Sequence, residues 1–247
     1  METKAAEGEI IAFIRGCFKS AGRRTAIVGL SGGLDSAVAL SLCVKALGKS
    51  RAIAVLLPSS STPGKDMRDA QGLARSLGVK TVKFAIEPAL DSFGNLSKGR
   101  LNSANLSARI RMAALYSIAA KQNGLVVGTG DKSEFLLGYF TKYGDGAADF
   151  FPIGGLYKTE VRELGKHLGL PEAILRKPPS PALWKGQTAE GELGFSYEEA
   201  DEILRAIERR ASRKIIEEKF GKKLVASIIE RMEKNFHKRI PAPVCRI

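Results

Sequence analysis

Apolar positions along the chain fall into two rhythms. Short apolar runs rich in β-branched residues occur at 24–30 (RTAIVGL), 51–57 (RAIAVLL), 79–86 and 125–128. They are continuous rather than alternating, as strands buried on both faces are. Between them the spacing is helical. Such stretches cover 9–19, 37–47 (AVALSLCVKAL, stopped at Gly48), a segment entered at Thr62-Pro63 and running to Gly78, 101–123 closed by Gly124, and 158–168 ended by Gly169. Thr62 is the expected N-cap, with Pro63 at the first helical position. Strands alternating with helices of this size predict βαβ units and a parallel sheet covered on both faces.

Beyond residue 170 the strand pattern stops. Residues 176–195 (RKPPSPALWKGQTAEGELGF) are polar and rich in Pro and Gly, too long for a plain connection and suited to a lid or binding loop. Trp184 is its candidate packing anchor, and tryptic cleavage at Lys185 would report on its closure. Ser196-x-x-Glu199 is a capping box opening a helix, and two more helical stretches reach about Asn235. The expected organisation is an α/β core over about 1–170, a mobile loop at 176–195 and a helical extension over 196–247.

Composition narrows the classes. The chain has 247 residues, 44% apolar and 26% charged, which suits a folded chain burying one core. No run approaches the roughly 18 apolar residues of a membrane span, and the N-terminus has no signal-peptide pattern, so a cytoplasmic location is expected. Three scattered cysteines (Cys17, Cys43, Cys245) make neither a disulfide framework nor a local zinc site. The net charge is +13, of which +6 falls from Asp201 onward. Such a bias suits a polyanion, but acids are interspersed and no basic–aromatic stacking run is present, so no nucleic acid partner is expected.

The chemistry concentrates in Ser31-Gly32-Gly33-Leu34-Asp35-Ser36, between the first strand and the next helix. Adjacent glycines allow positive φ and close backbone approach. Successive N–H groups at a helix N-terminus form an anion cradle, to which Ser31 and Ser36 add hydroxyls. Asp35 beside phosphates calls for a cation between them, and a hard Mg²⁺ ion fits that place. The loop is neither a Walker A nor a GxGxxG sequence. A plain βα turn capped by Asp35 is the structural alternative.

At these residues the sequence resembles the PP-loop ATP pyrophosphatases, which split ATP between its α- and β-phosphates and adenylate an acceptor. Downstream, Asn105 and Arg109 share a helix face, whereas Arg111 points elsewhere. Thr129 and Glu134 follow the fourth strand, whose carboxyl end lines the ligand crevice of an open parallel sheet. Glu134 has a second reading, as the closing residue of a capping box with Asp131. The segment 138–164 (GYFTKYGDGAADFFPIGGLYKTEVREL), Lys177-Pro178, 191–201 and His237-Lys238-Arg239-Ile240-Pro241 resemble the ammonia-dependent NAD synthetases. The likeness runs in order from about Val28 to Pro243.

That resemblance implies an α/β, doubly wound, mostly parallel five-stranded sheet of the adenine nucleotide alpha hydrolase-like kind, with a helical C-terminal extension. It implies an ATP site at Gly29, Leu30, Ser31, Gly32, Gly33, Leu34, Asp35 and Ser36, joined by Thr129, Lys158 and Ser180, with Asp35 and Lys158 in the catalytic role. Mg²⁺ would bind Asp35 and Glu134, and deamido-NAD⁺ would bind Arg109, Lys142, Asp149, His237 and Lys238. Ser180 stands where Thr is usual, and Gly130-Asp131 departs from the common pattern, so Asp131 receives no catalytic role. The implied reaction converts deamido-NAD⁺ to NAD⁺ with ATP and ammonia in a homodimer. Glutamine-dependent forms carry a separate amidase domain, for which this sequence leaves no room, so free or partner-delivered ammonia is expected. Lys142, Asp149, Lys158 and His237 also read as ordinary solvated charges. A tRNA-modifying PP-loop enzyme and a non-catalytic adenine-nucleotide sensor are the rival readings.

Overall fold

The computed structural model describes residues 2–184 and 186–245; Lys185, the tryptic site of the 176–195 segment, lies outside them. Its elements are α1 (Thr3–Ala21), β1 (Thr25–Gly29), α2 (Leu34–Leu47), β2 (Ala52–Leu56), α3 (Gly64–Ser76), β3 (Lys80–Lys83), α4 (Glu87–Asp91), α5 (Arg100–Lys121), β4 (Gly124–Val127) and α6 (Lys132–Leu137). There follow α7 (Lys158–His167), α8 (Glu172–Leu175), α9 (Ala189–Leu193), α10 (Tyr197–Glu208), α11 (Arg213–Phe220) and α12 (Lys222–Lys234).

All strands are parallel, in the order β3-β2-β1-β4. Period-two alternation sorts their side chains. Ala26, Val28, Ala54, Leu56 and Val127 face a core with α1, α2, α3 and α7. Ile27, Ile53, Val55 and Val126 face α5 through Ile110, Ala114 and Leu115. Burying each large aliphatic side chain contributes about 1.5–3 kcal/mol, so both faces are needed to hold so short a sheet.

The expected five-stranded sheet has four strands. Where a fifth would lie, Phe150 makes one parallel bridge to Val127. The Asp149 N–H donates to the Val126 carbonyl at 3.0 Å and Phe150 accepts from the Gly128 N–H at 2.9 Å. The chain then turns at Pro152, whose fixed φ and missing N–H end the pairing. Helix boundaries also shift. Pro63, not Thr62, is the N-cap of α3, and the Thr62 hydroxyl instead accepts from the Ser59 N–H at 3.0 Å. Gly124 opens β4, and Asn123 at φ +48 makes the turn before it.

The helical extension has its own core, with Tyr197, Ile203, Leu204, Val225 and Ile228 packing against Leu137 of α6. The capping box Ser196–Glu199 starts α10 as expected. Residues 176–195 are less structureless than their composition suggests, since they contain α9, capped by the Thr188 hydroxyl.

Candidate active site

The chain reverses direction across the sheet at β1, with β2 on one side and β4 on the other. Ligands in open α/β sheets sit at such a switch, outside the strands' carboxyl ends. Two loops meet there. After β1 the chain enters the SGGLDS loop, and after β4 it enters Thr129-Gly130-Asp131.

Inside the first loop, Gly32 adopts φ +81, and a Cβ there would come 2.2 Å from the Asp66 carbonyl oxygen. Only glycine serves both demands. The Ser31 and Ser36 hydroxyls lie 3.0 Å apart, the Gly33 N–H donates to Ser31 Oγ at 3.1 Å, and Ser36 Oγ donates to the Gly33 carbonyl at 3.1 Å. Gly33 is the N-cap of α2, so the cradle opens on orphan helix N–H groups. Gly128 plays the matching part at β4. A Cβ on it would meet the Phe151 ring at 2.2 Å.

The centre of the site is Lys158, the first residue of α7 and 1% exposed. Its Nζ lies 2.9 Å from Asp35 Oδ1, 2.7 Å from Asp131 Oδ2 and 2.8 Å from Glu134 Oε1. Burial alone would lower the ammonium's pKa, but Asp131, Asp35 and Glu134 together hold it well above its ordinary value. Burial raises Asp131 to about 6 against the pull of Lys158, with Asp35 adding repulsion. Burial likewise raises Glu134 well above the usual carboxyl range. The ammonium is thus held charged, and the carboxyls outnumber it three to one.

Glu134 has two partners in the structure. Asp131 and Glu134 form a full capping box on α6, and Glu134 still reaches Lys158. The same box brings in Asp131, wholly buried, which the sequence marks as a cap and gives no catalytic role. The Asp-x-x-Glu pattern was its signal. A further buried acid, Asp201 of α10, accepts from Ser133 Oγ at 2.5 Å and from the Thr159 N–H at 2.9 Å. Ser133 Oγ in turn accepts from the Lys158 N–H at 2.9 Å. The helical extension thereby caps the helix whose first residue is the central cation. Tyr197, also buried, sets its ring 5.2 Å from the same ammonium.

The other expected residues divide. Arg109 Nε donates to the Lys142 carbonyl at 3.3 Å, Lys142 Nζ donates to the His237 carbonyl at 2.7 Å, and Lys238 Nζ donates to the carbonyls of Gly138 and Phe140 at 2.8 and 3.1 Å. Backbone carbonyls of the tail and the 138–142 loop therefore hold the Arg109, Lys142 and Lys238 side chains, and the tail brings His237 to the same loop through its carbonyl. Burial and the nearby Arg231 lower the Lys238 pKa. Asp149 stands apart from them, accepting from the Val126 N–H at 2.7 Å and the Tyr116 hydroxyl at 3.5 Å on the edge of β4. Ser180 Oγ donates to the Gln187 carbonyl at 2.7 Å and accepts from the Ala182 N–H at 3.0 Å, shaping its own loop. Thr129 is half-buried at the end of β4. Arg111 turns toward β2, donating to the Leu57 carbonyl at 3.0 Å.

Among the described residues, no group of three His, Cys, Asp or Glu forms a ready metal cage. Mg²⁺ seldom uses one, preferring one or two carboxylates with waters and substrate phosphates. Asp35 and Glu134 fit that habit, since each is partly exposed and commits one oxygen to Lys158. A divalent ion beside these crowded carboxyls would favour their charged forms. No helix among the described residues is long and apolar enough to cross a membrane.

Comparison with known proteins gives the chain's relatives. A chain from Methanosarcina mazei named NH(3)-dependent NAD(+) synthetase is 45% identical over 99% of this chain and 98% of its own length. A solved structure of an NMN synthetase from Francisella tularensis superimposes with a TM-score of 0.90 at 35% identity. An NH3-dependent NAD synthetase from Campylobacter jejuni gives 0.87 at 33%, and both structures cover the whole of each chain. The family model described as NAD synthase matches residues 7–242, and the chain belongs to that family.

Proposed function

We propose that the protein amidates deamido-NAD⁺ to NAD⁺ with ammonia and ATP, through an adenylated nicotinate, releasing AMP and pyrophosphate. The observation that carries this reading is the meeting of Asp35, Asp131 and Glu134 on the buried Lys158 ammonium beside the phosphate loop. The nicotinate carboxylate attacks the α-phosphorus of ATP, the bond to the β-phosphate oxygen breaks, and a mixed anhydride with AMP forms. Ammonia then adds to the activated carbonyl carbon and AMP departs. Adenylation is needed because a bare carboxylate has no acceptable leaving group.

The chain's residues divide the work by charge. The N–H groups and hydroxyls of 31–36 hold the departing pyrophosphate. Lys158, kept cationic by its carboxylates, faces the negative charge that develops on the transferred phosphoryl group. Asp35 and Glu134 would hold Mg²⁺, which neutralises phosphate oxygens when bound. Arg109, Lys142, His237 and Lys238 supply the basic surface for the dinucleotide's phosphates. The 176–195 segment excludes water that would hydrolyse the anhydride. A homodimer suits the exposed Phe93, Leu96 and Leu101, and a cytoplasmic location suits the substrates.

The test is product analysis with the purified chain, MgATP, ammonium and either deamido-NAD⁺ or its mononucleotide counterpart. Equal yields of NAD⁺, AMP and pyrophosphate, with the dinucleotide preferred and glutamine ineffective in place of ammonium, are expected. Preference for the mononucleotide would move the substrate assignment. ATP consumption that leaves both acids unchanged would refute the reading.

A further inference from the structure

Lys177 lies at the root of the 176–195 segment, and the reaction proposed above gives it no part. Its Nζ donates to the Gly32 carbonyl at 2.6 Å and sits 2.9 Å from both Asp66 Oδ1 and Asp69 Oδ2 of α3. The side chain is 18% exposed, and those of the two acids 17% and 15%. One ammonium thus joins three elements: the phosphate loop, α3 and the start of the polar segment.

The carbonyl it grips is informative. Peptide units are planar and trans, so the Gly32 C=O and the Gly33 N–H point in opposite directions. A cation fixed on the oxygen aims the N–H to the other side, where it meets the Ser31 hydroxyl inside the cradle. Glycine flanks this peptide on both sides, so little in the backbone itself resists a flip that would turn the carbonyl toward the phosphates. A carbonyl oxygen there repels an anion that the N–H would bind. Asp66 and Asp69 keep the ammonium in place, and α3 is pressed against Gly32 from the same side.

We propose that Lys177 is a positioning residue for the pyrophosphate cradle: by holding the Gly32 carbonyl it turns that oxygen away from the phosphates and keeps the Gly33 N–H on the Ser31 hydroxyl, and it ties cradle geometry to the 176–195 segment. This rests on the reading of 31–36 as the ATP-binding loop. Beyond Lys177 the segment's bonds are mostly internal, with Ala189 N–H donating to the Pro179 carbonyl at 2.8 Å and Leu183 N–H to Gln187 Oε1 at 2.8 Å, while Trp184 lies under Arg100 at 4.8 Å. The segment's far end is held in the C-terminal core through Ala189, Leu193 and Phe195, so Lys177 is the attachment at the near end, against the phosphate loop.

The experiment compares wild type with K177M, which keeps the stem and loses the charge, and K177R, which keeps the charge. Binding of pyrophosphate and ATP with Mg²⁺ is measured by calorimetry, together with KM for each substrate and the thermal midpoint. The expected result is about tenfold weaker pyrophosphate and ATP binding in K177M, with the KM for deamido-NAD⁺ within about twofold of wild type and partial recovery in K177R. K177M that binds both ligands as tightly as wild type, whatever its thermal midpoint, overturns the inference. A K177M too unstable to assay is replaced by K177Q, judged by the same ratio. A wild-type chain that binds neither ligand overturns the phosphate-loop reading itself, and the inference with it.

Discussion

Lys158 is the residue on which the site turns. Three carboxylates surround its ammonium, and removing one partner of a buried ionic group leaves the others uncompensated, a cost of about 3–5 kcal/mol. Lys158→Met is therefore expected to lower unfolding free energy by about that amount in urea melts without Mg²⁺, and to abolish NAD⁺ formation. Retained turnover in the folded variant would show that the ammonium does not face the reacting phosphate. Gly32→Ala tests the loop differently. At φ +81 an alanine costs about 1–2 kcal/mol, and its Cβ meets the Asp66 carbonyl oxygen. ATP binding by calorimetry should be lost; unchanged binding would contradict the close approach of α3. The loop itself was legible in the sequence because its meaning is local: two glycines, two hydroxyls and an acid between strand and helix. Asp131 was legible only as a helix cap, since nothing in the sequence says which buried cation a cap will also face.

At the scale of elements, ion pairs and caps fix how helices stand over the sheet. Glu7 of α1 bridges Lys45 of α2 at 2.6 Å and His167 of α7 at 2.9 Å. The hydrogen bond from Lys45 and the one with His167 hold its carboxyl below its ordinary 4.5 in spite of burial. A lowered carboxyl contributes stability that is present above the unfolded value and lost as pH falls through the folded one. Glu7→Gln should thus cost up to about 1 kcal/mol at neutral pH, with the difference from wild type shrinking below pH 4.5 and gone once the pH has fallen through the lowered folded value. A gap that persists in acid would mean the contact acts through packing. The strand runs and most helices were legible from periodicity. The fifth strand was not, because its fate depends on tertiary placement: Asp149 and Phe150 reach β4 for one rung, then Pro152 turns the chain away. Asp149 for the same reason bonds the sheet edge, a duty its position in a polar loop concealed.

Over the whole molecule, the two adjacent strands β1 and β4 carry the two halves of the charge cluster, and the C-terminal extension closes it from above through Asp201 and Tyr197. The sequence suggested an extension but not its task, because a capping acid 68 residues from its Ser133 partner leaves no local trace. The contacts that join His237 and Lys238 to the 138–142 loop likewise form only when the tail folds back on it. The net charge of +13 suits the proposed pairing with a dinucleotide and a triphosphate. The most direct measurement follows the oxygen atoms. With deamido-NAD⁺ labelled by ¹⁸O in its carboxylate, each turnover should place one labelled oxygen in AMP and none in pyrophosphate, read by mass spectrometry. AMP formed without label would contradict adenylation of the pyridine acid, and with it the account of the site.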